Sequence, residues 1–210
     1  MKTLALITSA LAFWVLGCSN PYERDNPIDP YVVNKKAGSV QYEGQTYKTL
    51  VIGTKVWMAK NLNYNATGSK CYENLESNCT KYGRLYNWAT AMTACPEGWH
   101  LPSNAEWTAL IDFAGGKTAG KKFRATTGWN DYNGKSGNGT DDYGFSALPG
   151  GFGLSDGRFS SVGNEGYWWT SSVYGSNNEA YDWNMQCYGD IADWGLGDKS
   201  RLYSVRCVKD

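Results

Sequence analysis

The sequence predicts an α+β domain with small antiparallel sheets, two helices and long loops rich in glycine and tryptophan. Apolar and polar residues alternate in short segments near both ends of residues 39–210, which is typical of half-buried strands. A helix with a clear start signal lies between those segments. The chain of 210 residues contains 25 glycines, 15 tyrosines and 10 tryptophans, and 41% of its residues are hydrophobic. This composition predicts a core built from aromatic side chains and many residues in loops.

The first strands are predicted within residues 39–58, which read SVQYEGQTYKTLVIGTKVWM. Turn-forming pairs at Glu43-Gly44 and Gly53-Thr54 separate three short segments that are rich in β-branched and aromatic residues. Segments of this kind predict an antiparallel meander. Residues 61–80 have no periodic pattern and are expected to form a loop.

Two helices are predicted next, at about residues 83–93 and 104–115. The second has a start signal, because Ser103 and Glu106 have the three-residue spacing of a capping box. Apolar residues then recur at helical spacing, at Trp107, Leu110, Ile111 and Ala114. The first helix is predicted from similar spacing of Leu85, Trp88, Ala89 and Met92.

The last part of the chain is predicted to form strands after a long glycine-rich region at residues 116–164. The expected strands are residues 166–171, 179–188 and 200–208. In the middle strand a polar set alternates with an apolar set, namely Asp182, Asn184 and Gln186 with Tyr181, Trp183, Met185 and Cys187. The order of elements predicts that the first and last strands meet in one sheet.

Residues 1–17, MKTLALITSALAFWVLG, predict export. The 13 residues from 4 to 16 would span roughly 20 Å as a helix, short of the roughly 30 Å hydrocarbon core of a bilayer. The segment is therefore a signal peptide and not a membrane span. Residues 15–18, VLGC, resemble the bacterial lipobox, which implies lipidation of Cys18. The alternative is plain secretion with removal of Cys18.

The residues that follow the signal peptide predict a tether and a membrane location. Residues 18–38 contain three prolines and no apolar periodicity, so we expect a flexible tether between the lipidated Cys18 and the domain at 39–210. Ser19 stands where an Asp is familiar as an inner-membrane sorting signal, so an outer-membrane or cell-surface lipoprotein is expected. Without residues 1–17 the chain has 19 basic and 20 acidic residues, a net charge of −1. This balance argues against a nucleic-acid partner.

Five cysteines remain if Cys18 is acylated, and an exported chain can form disulfides. The short spacing of Cys71 and Cys79 favours one bridge. A Cys95–Cys207 bridge would join the helical region to the last strand. Cys187 is expected to be a buried free thiol, with a Cys187–Cys207 bridge as the main alternative. A zinc site is not favoured, because the chain has a single histidine and no CxxC motif.

Six segments occur in this order: VIGTKVWMAKNLNY (51–64), CYENLESNCTKYGRLYNWATAM (71–92), CPEGWHLPSNAEWTAL (95–110), DDYGFSALPGG (141–151), YWWTSS (167–172) and SVRCVKD (204–210). Together they resemble the Fibrobacter succinogenes major paralogous domain family over about residues 40–210. The WHLPSNAEW segment is also similar to the stretch that joins the two helices of C-type-lectin-like domains and formylglycine-generating enzymes. The resemblance implies that fold and an exported protein, but it names no molecular function.

Ligand binding is the first functional hypothesis, because aromatic faces stack on sugar rings while carboxylates and amides bind hydroxyl groups. The candidate contacts are Trp168, Trp169, Trp194, Asp182, Asn184 and Gln186. The alternative for each tryptophan is a place in the core. Among them Trp194 is the best candidate for exposure, because turn residues surround it.

Calcium and catalysis are the weaker hypotheses. Asp131, Asp141 and Asp142 lie in a glycine-rich loop that offers hard oxygen ligands for calcium, but Asp also serves in ordinary turns. Cys187 and Cys207 lack the flanking residues of the reactive cysteines in formylglycine-generating enzymes. We therefore expect no catalytic residues, no cofactor beyond a weak prospect of calcium, and an extracytoplasmic module that binds a glycan or protein. The alternative is a structural envelope protein without a small-molecule ligand.

Overall fold

The computed structural model describes residues 38–175 and 178–210. The expected leader, Cys18 and most of the tether lie outside the described residues. The described part is a mixed α+β structure with small, mainly antiparallel sheets and four short α-helices. None of these helices is long and apolar enough to cross a bilayer.

The strands within the described residues are β1 Ser39–Tyr42, β2 Gln45–Ile52, β3 Lys55–Met58, β4 Leu85–Tyr86, β5 Trp99–His100, β6 Phe152–Gly153, β7 Phe159–Ser160, β8 Glu165–Val173, β9 Glu179–Gln186, β10 Ala192–Asp198, β11 Tyr203–Ser204 and β12 Val208–Lys209. The α-helices are α1 Glu76–Tyr82, α2 Trp88–Ala91, α3 Asn104–Phe113 and α4 Gly120–Phe123. Short 3-10 turns lie at Tyr72–Asn74 and Lys117–Ala119.

The first sheet joins the two ends of the domain, in the strand order β1-β2-β3-β12-β5. Its first three strands are the predicted meander. Val208 in β12 pairs with Trp57 in β3 and with His100 in β5. The prediction that the first and last strands meet in one sheet is therefore confirmed.

The second sheet carries the long strands, in the order β10-β9-β8-β11-β4. Its pairs are antiparallel except for β11 with β8, where Ser204 pairs in parallel with Trp168. In this order β10 is an edge strand, and β9 lies between β10 and β8. A third sheet is the small β6-β7 hairpin.

Helix α3 begins where the sequence predicts. The Ser103 hydroxyl accepts a hydrogen bond from the Glu106 N–H at 3.2 Å, and a Glu106 carboxylate oxygen accepts from the Ser103 N–H at 2.9 Å. This is the predicted capping box. The buried face of α3 includes Trp107, Leu110 and Ile111.

The predicted first helix at residues 83–93 is wrong. Helix α1 instead occupies part of the expected loop, and the segment after it forms β4 and the single turn α2. Gly83 explains the change, because it has φ of +80° and an added Cβ would lie 2.8 Å from the Asn61 side chain. Only glycine fits this close turn, and Leu85 and Tyr86 then pair with β11.

The predicted strand at residues 200–208 is also wrong, since this stretch is divided between β11, a loop and the start of β12. The longer strand β10 was missed because it contains Gly195 and Gly197. Both glycines lie where neighbouring side chains approach the backbone closely. An added Cβ at Gly197 would lie 2.8 Å from Trp169 and 2.7 Å from Tyr203.

The core is largely aromatic, as the composition predicts, and it consists of two clusters. The first contains Trp57, Trp107, Phe145, Trp168 and Trp183. The rings of Trp107 and Trp183 stack at 6.2 Å. The second cluster includes Tyr47, Tyr86, Trp169, Tyr203 and Val205. The second sheet therefore has buried aromatic residues on both faces.

Covalent and polar bonds tie the last segment of the chain to these cores. Disulfides join Cys71 to Cys79 and Cys95 to Cys207, while Cys187 is a buried free thiol. The fully buried Arg206 donates to the Asn61 side-chain oxygen at 2.8 Å, and its guanidinium lies 4.2 Å from the Phe145 ring centre. Burial lowers the pKa of Arg206 to about 9.

Candidate functional site

The candidate site lies on one face of the second sheet and is centred on Asp182. Strand alternation places Asp182, Asn184 and Gln186 on the same face of β9, opposite Trp183. Residues that pair across strands share a face, so β8 contributes Tyr167 and Trp169 beside Asn184 and Asp182. We call this surface the Asp182 face and define it by Phe152, Tyr167, Asp182, Asn184, Gln186 and Arg201.

Asp182 is the most unusual residue of this surface, because its carboxyl group is buried. Its side chain is only 2% exposed, and its Oδ1 atom has no hydrogen-bond partner among the described residues. Burial raises the pKa of Asp182 to about 7, against the opposing effects of a hydrogen bond with Asn184 and the charge of Arg201. The sheet therefore holds a carboxyl group with an unused acceptor atom.

Gly195 provides the space for this carboxyl group. Gly195 pairs directly with Asp182 across β10 and β9. An added Cβ at Gly195 would lie 3.2 Å and 3.3 Å from the two carboxylate oxygens, which is tighter than nearly all real contacts of this kind. A side chain at Gly195 would thus press on the Asp182 carboxylate.

Aromatic rings form the other half of the Asp182 face. The half-buried Tyr167 stacks on Tyr203 at 5.0 Å, and Phe152 meets the edge of Tyr167 at 5.3 Å. The Arg201 guanidinium lies 5.8 Å from the Phe152 ring centre and donates to the Tyr203 hydroxyl at 3.3 Å. Burial raises the pKa of Tyr203 to about 12. These rings place an apolar platform beside the polar groups.

Glu165 anchors the edge of this platform. Its two carboxylate oxygens accept hydrogen bonds from the Tyr167 hydroxyl at 3.0 Å and the Tyr188 hydroxyl at 2.9 Å. Burial, followed by the Glu165 charge, raises the pKa of Tyr167. Tyr167 is therefore held in place as a neutral phenol.

Trp168 and Trp169, candidates for ligand contact with a place in the core as the alternative, both lie in the core. Both side chains are fully buried, one in each core, because the second sheet is covered on both faces. Their indole N–H groups also donate hydrogen bonds within the protein. Trp168 donates to the Asn61 side chain at 2.9 Å, and Trp169 donates to the Tyr86 carbonyl at 2.8 Å.

Trp194 is exposed, at 44%, but it lies apart from the Asp182 face. It pairs with Trp183, which places it on the opposite face of the sheet. Its ring contacts Tyr181 edge-on at 5.5 Å, and Lys117 lies 5.6 Å from its centre. The predicted ligand residues therefore divide into a polar set around Asp182 and a separate aromatic edge at Trp194.

The calcium candidates do not come together. Asp141 accepts hydrogen bonds from the Ser146 N–H at 2.7 Å and the Ser146 hydroxyl at 2.6 Å, so its carboxylate closes a turn. Asp131 and Asp142 are exposed. Within the described ranges, one group of acidic, histidine or cysteine side chains is close enough to share an ion. It consists of Cys71, Glu76 and Cys79, and its two cysteines are bonded to each other.

His100 lies in an ionic cluster at the start of α3. One ring nitrogen is 2.5 Å from Asp210 and the other is 3.0 Å from Glu106, which Lys55 also contacts at 3.0 Å. Burial alone would raise the pKa of Glu106, but hydrogen bonds from Ser103, Lys55 and His100 lower it to about 2. The cluster joins β3, β5, α3 and Asp210.

Sequence reasoning missed Phe152, Tyr167 and Arg201 as parts of the site. Tyr167 could have been found from the strand alternation that places it two residues from Trp169. Phe152 and Arg201 come from a two-residue strand and a loop, where no periodic signal exists. Their positions depend on the packing of β6 and β11 against β8.

Comparison with known proteins gives one finding. The sequence pattern of the Fibrobacter succinogenes major domain matches residues 50–209. The chain belongs to this family. The match includes every residue that defines the Asp182 face. No curated protein and no solved structure matches the chain.

Proposed function

We propose that this chain is a non-catalytic extracytoplasmic module that binds a glycan through the Asp182 face. The observation that carries the proposal is the buried Asp182 carboxylate with its unpartnered Oδ1 atom. A buried acceptor without a partner reduces stability, typically by about 1–3 kcal/mol. Because this oxygen is buried, a ligand hydroxyl group can donate to it only after neighbouring side chains of the face move aside, and the new hydrogen bond would then offset that cost.

The surroundings of Asp182 fit a hydroxylated ring. The Asn184 and Gln186 amides can both donate and accept, and Arg201 adds further donors. Tyr167 and Phe152 offer ring faces and edges against which the apolar side of a sugar can pack. Specific sites of this kind combine an apolar surface with a few convergent polar groups.

Binding, and not catalysis, is proposed because the neighbouring acids are already engaged. Glu165 accepts from two tyrosine hydroxyls, and Asp193 pairs with Lys117 at 2.5 Å. A pair of free carboxylates, as in most glycoside hydrolases, is therefore not offered by these residues.

The test is a retention assay with the full-length chain, purified in mild detergent, on a glycan array and on insoluble polysaccharides. We expect retention that falls at least tenfold in Asp182→Asn and in Tyr167→Ala. Trp194→Ala is the matched control, since Trp194 lies on the other face. Loss of retention in Trp194→Ala alone would move the site to the Trp194 edge. Loss on addition of a chelator would indicate a calcium-dependent site instead.

A structural envelope protein without a small-molecule ligand is the second candidate function. It is favoured by the complete burial of Trp168 and Trp169, two of the three tryptophans expected at a ligand surface. Absence of retention on every glycan and polysaccharide would support this candidate and overturn the first. A protein ligand would instead be found as retention on cell-surface protein and not on glycans.

We also propose a C-type-lectin-like fold for the domain. The pairing of the N-terminal and C-terminal strands supports it, as do α3 directly after β5 and the long loop region before β8. An experimental structure in which β12 lies outside the first sheet would contradict it.

Export and lipidation of Cys18 complete the proposal, with the outer membrane or cell surface as the destination. The support is the leader and the VLGC segment. Metabolic labelling with palmitate should mark the wild-type protein and not Cys18→Ser. Equal labelling of both would contradict lipidation at this residue.

A further inference from the structure

A concave surface apart from the Asp182 face lies beside the turn that follows β9. It is a cavity of about 370 Å³ between this turn and the loop at residues 130–137. The loop has a tight turn, because Tyr132 and Lys135 exchange backbone hydrogen bonds at 2.9 Å and 3.0 Å. Asn133 and Gly134 between them have φ of +48° and +74°, as such turns require. We call this cavity the Arg124 pocket.

Arg124 forms the buried part of the pocket. Its side chain is only 2% exposed, and it donates to the carbonyl of Gln186, to the Gly189 carbonyl at 2.9 Å and to Asp190 at 3.1 Å. Its Nε atom is buried and has no acceptor within residues 38–175 and 178–210. The guanidinium is therefore fixed in position with one donor unused.

The rim of the pocket is positively charged and aromatic. Lys121 and Lys135 line it, and their ammonium groups have no ion pair or hydrogen bond to any described residue. Asp190 is the one acid among the lining residues, and Arg124 already pairs with it. Tyr132 and Tyr188 are each 49% exposed, and their rings lie 5.5 Å apart.

We infer that the Arg124 pocket binds a small oxyanion, a carboxylate or sulfate group carried on a ring. Because the Arg124 Nε atom is buried, the lining side chains would shift slightly before it donates to an oxyanion oxygen. Charge-assisted hydrogen bonds of this type are among the stronger ones in proteins. The two lysines would complete the charge, and the tyrosines would pack against the ring. The inference does not depend on the Asp182 face.

Cys187 gives a direct reporter, because its buried thiol lines the same pocket. The experiment measures the rate at which an uncharged maleimide alkylates Cys187 in the full-length chain, with the labelled residue assigned by peptide mass spectrometry. Sodium sulfate and sodium glucuronate are the two probes, and sodium chloride at equal ionic strength is the reference. We expect each probe to slow the alkylation at least fivefold at saturation.

The double variant Lys121→Ala/Lys135→Ala tests the pocket charge. Both side chains are exposed, so the variant should fold normally. We expect its half-protection concentration to rise at least tenfold. The matched control Lys48→Ala/Lys209→Ala removes the same charge elsewhere and should behave as wild type. Absence of protection in wild type, or equal protection in wild type and the Lys121/Lys135 variant, would overturn the inference.

Thermal melting gives a second measure if the thiol reacts too slowly. Sulfate stabilises proteins in general through exclusion from their surface, and that effect should be equal in all variants. A specific site adds a rise in Tm that is present in wild type and in the control and absent from the Lys121/Lys135 variant. Equal rises in all three proteins would contradict the pocket as an oxyanion site.

Discussion

Ionisation of Asp182 should reduce the stability of the folded protein. Its pKa of about 7 in the folded state lies above the ordinary value of 3.8, because burial disfavours the charged form. The folded state therefore binds the proton more tightly than the unfolded chain. The resulting penalty is absent below pH 4, grows between pH 4 and pH 7, and is complete above pH 7.

Asp182→Asn should remove this penalty with little change in shape. We expect the free energy of unfolding at pH 8 to rise by roughly 2–4 kcal/mol relative to wild type, and to be nearly unchanged at pH 4. Urea unfolding at both pH values is the measurement. Asp131→Asn, at an exposed carboxylate, is the matched control and should have no effect at either pH. An equal effect of Asp182→Asn at both pH values would show that burial does not raise this pKa.

Helix α3 organises the ionic cluster at its start. Its capping box places the Glu106 carboxylate where Ser103, Lys55 and His100 can reach it. Because the pKa of Glu106 is lowered to about 2, its contribution to stability is present above pH 4.5 and is lost as the pH falls toward 2. The cluster therefore makes the junction of α3 with the first sheet sensitive to acid.

Ser103→Ala should destabilise the protein by about 1 kcal/mol, the usual effect of losing a helix N-cap. The change removes the acceptor for the Glu106 N–H but leaves the Ser103 N–H available to the carboxylate. Thermal or urea unfolding at pH 7 measures the effect. Thr108→Ala is the comparison within the same helix, since its hydroxyl only bonds back to the Asn104 carbonyl. A larger loss for Thr108→Ala than for Ser103→Ala would argue against the cap.

These elements also show which features of the fold could be predicted from sequence. The start of α3 was predictable because a capping box is a local signal. Helix α1 was not, because its N-cap Leu75 makes no side-chain hydrogen bond to the helix start. Strand β10 was missed because it contains Gly195 and Gly197. Side chains of other strands approach these two glycines closely, and no local sequence pattern reveals such contacts.

Part of the candidate site could also be predicted from a local sequence pattern. Alternation in β9 indicated that Asp182, Asn184 and Gln186 share a face. It could not indicate that the second sheet is covered on both sides, so the choice between a ligand surface and the core stayed open for Trp168 and Trp169. It also could not indicate Arg201 or Phe152, which reach the site only through the assembly of several short strands.

At the scale of the whole domain, a long-range disulfide joins the middle of the chain to its last strands. The Cys95–Cys207 disulfide spans 112 residues and joins the region before β5 to the region before β12. The Cys71–Cys79 disulfide spans 8 residues and joins Cys79 of α1 to the segment before the helix. In the chain-entropy treatment the longer loop stabilises the fold more, by about 5 kcal/mol against about 2.5 kcal/mol.

Removal of the two disulfides should therefore have unequal effects. We expect Cys95→Ala/Cys207→Ala to lower the free energy of unfolding by roughly 2 kcal/mol more than Cys71→Ala/Cys79→Ala. Urea unfolding of the two double variants is the measurement, and the second variant serves as the reference for loss of any disulfide. A larger loss in the Cys71/Cys79 variant would show that the local bridge is the dominant one.

The pH dependence of glycan binding tests the proposed role of the Asp182 face most directly. An ionised carboxylate is the better acceptor for sugar hydroxyls, so affinity should increase as the pH rises through about 7. The charged and titratable groups facing Asp182 are Arg201, Tyr203 and Tyr167, and none of them changes charge near this pH. For the glycan that retains the wild-type chain, we expect at least a fivefold gain in affinity from pH 5 to pH 9, and a weak, pH-independent affinity in Asp182→Asn. Wild-type affinity with no change over this range, or an unaltered pH profile in Asp182→Asn, would contradict Asp182 as the centre of the binding surface.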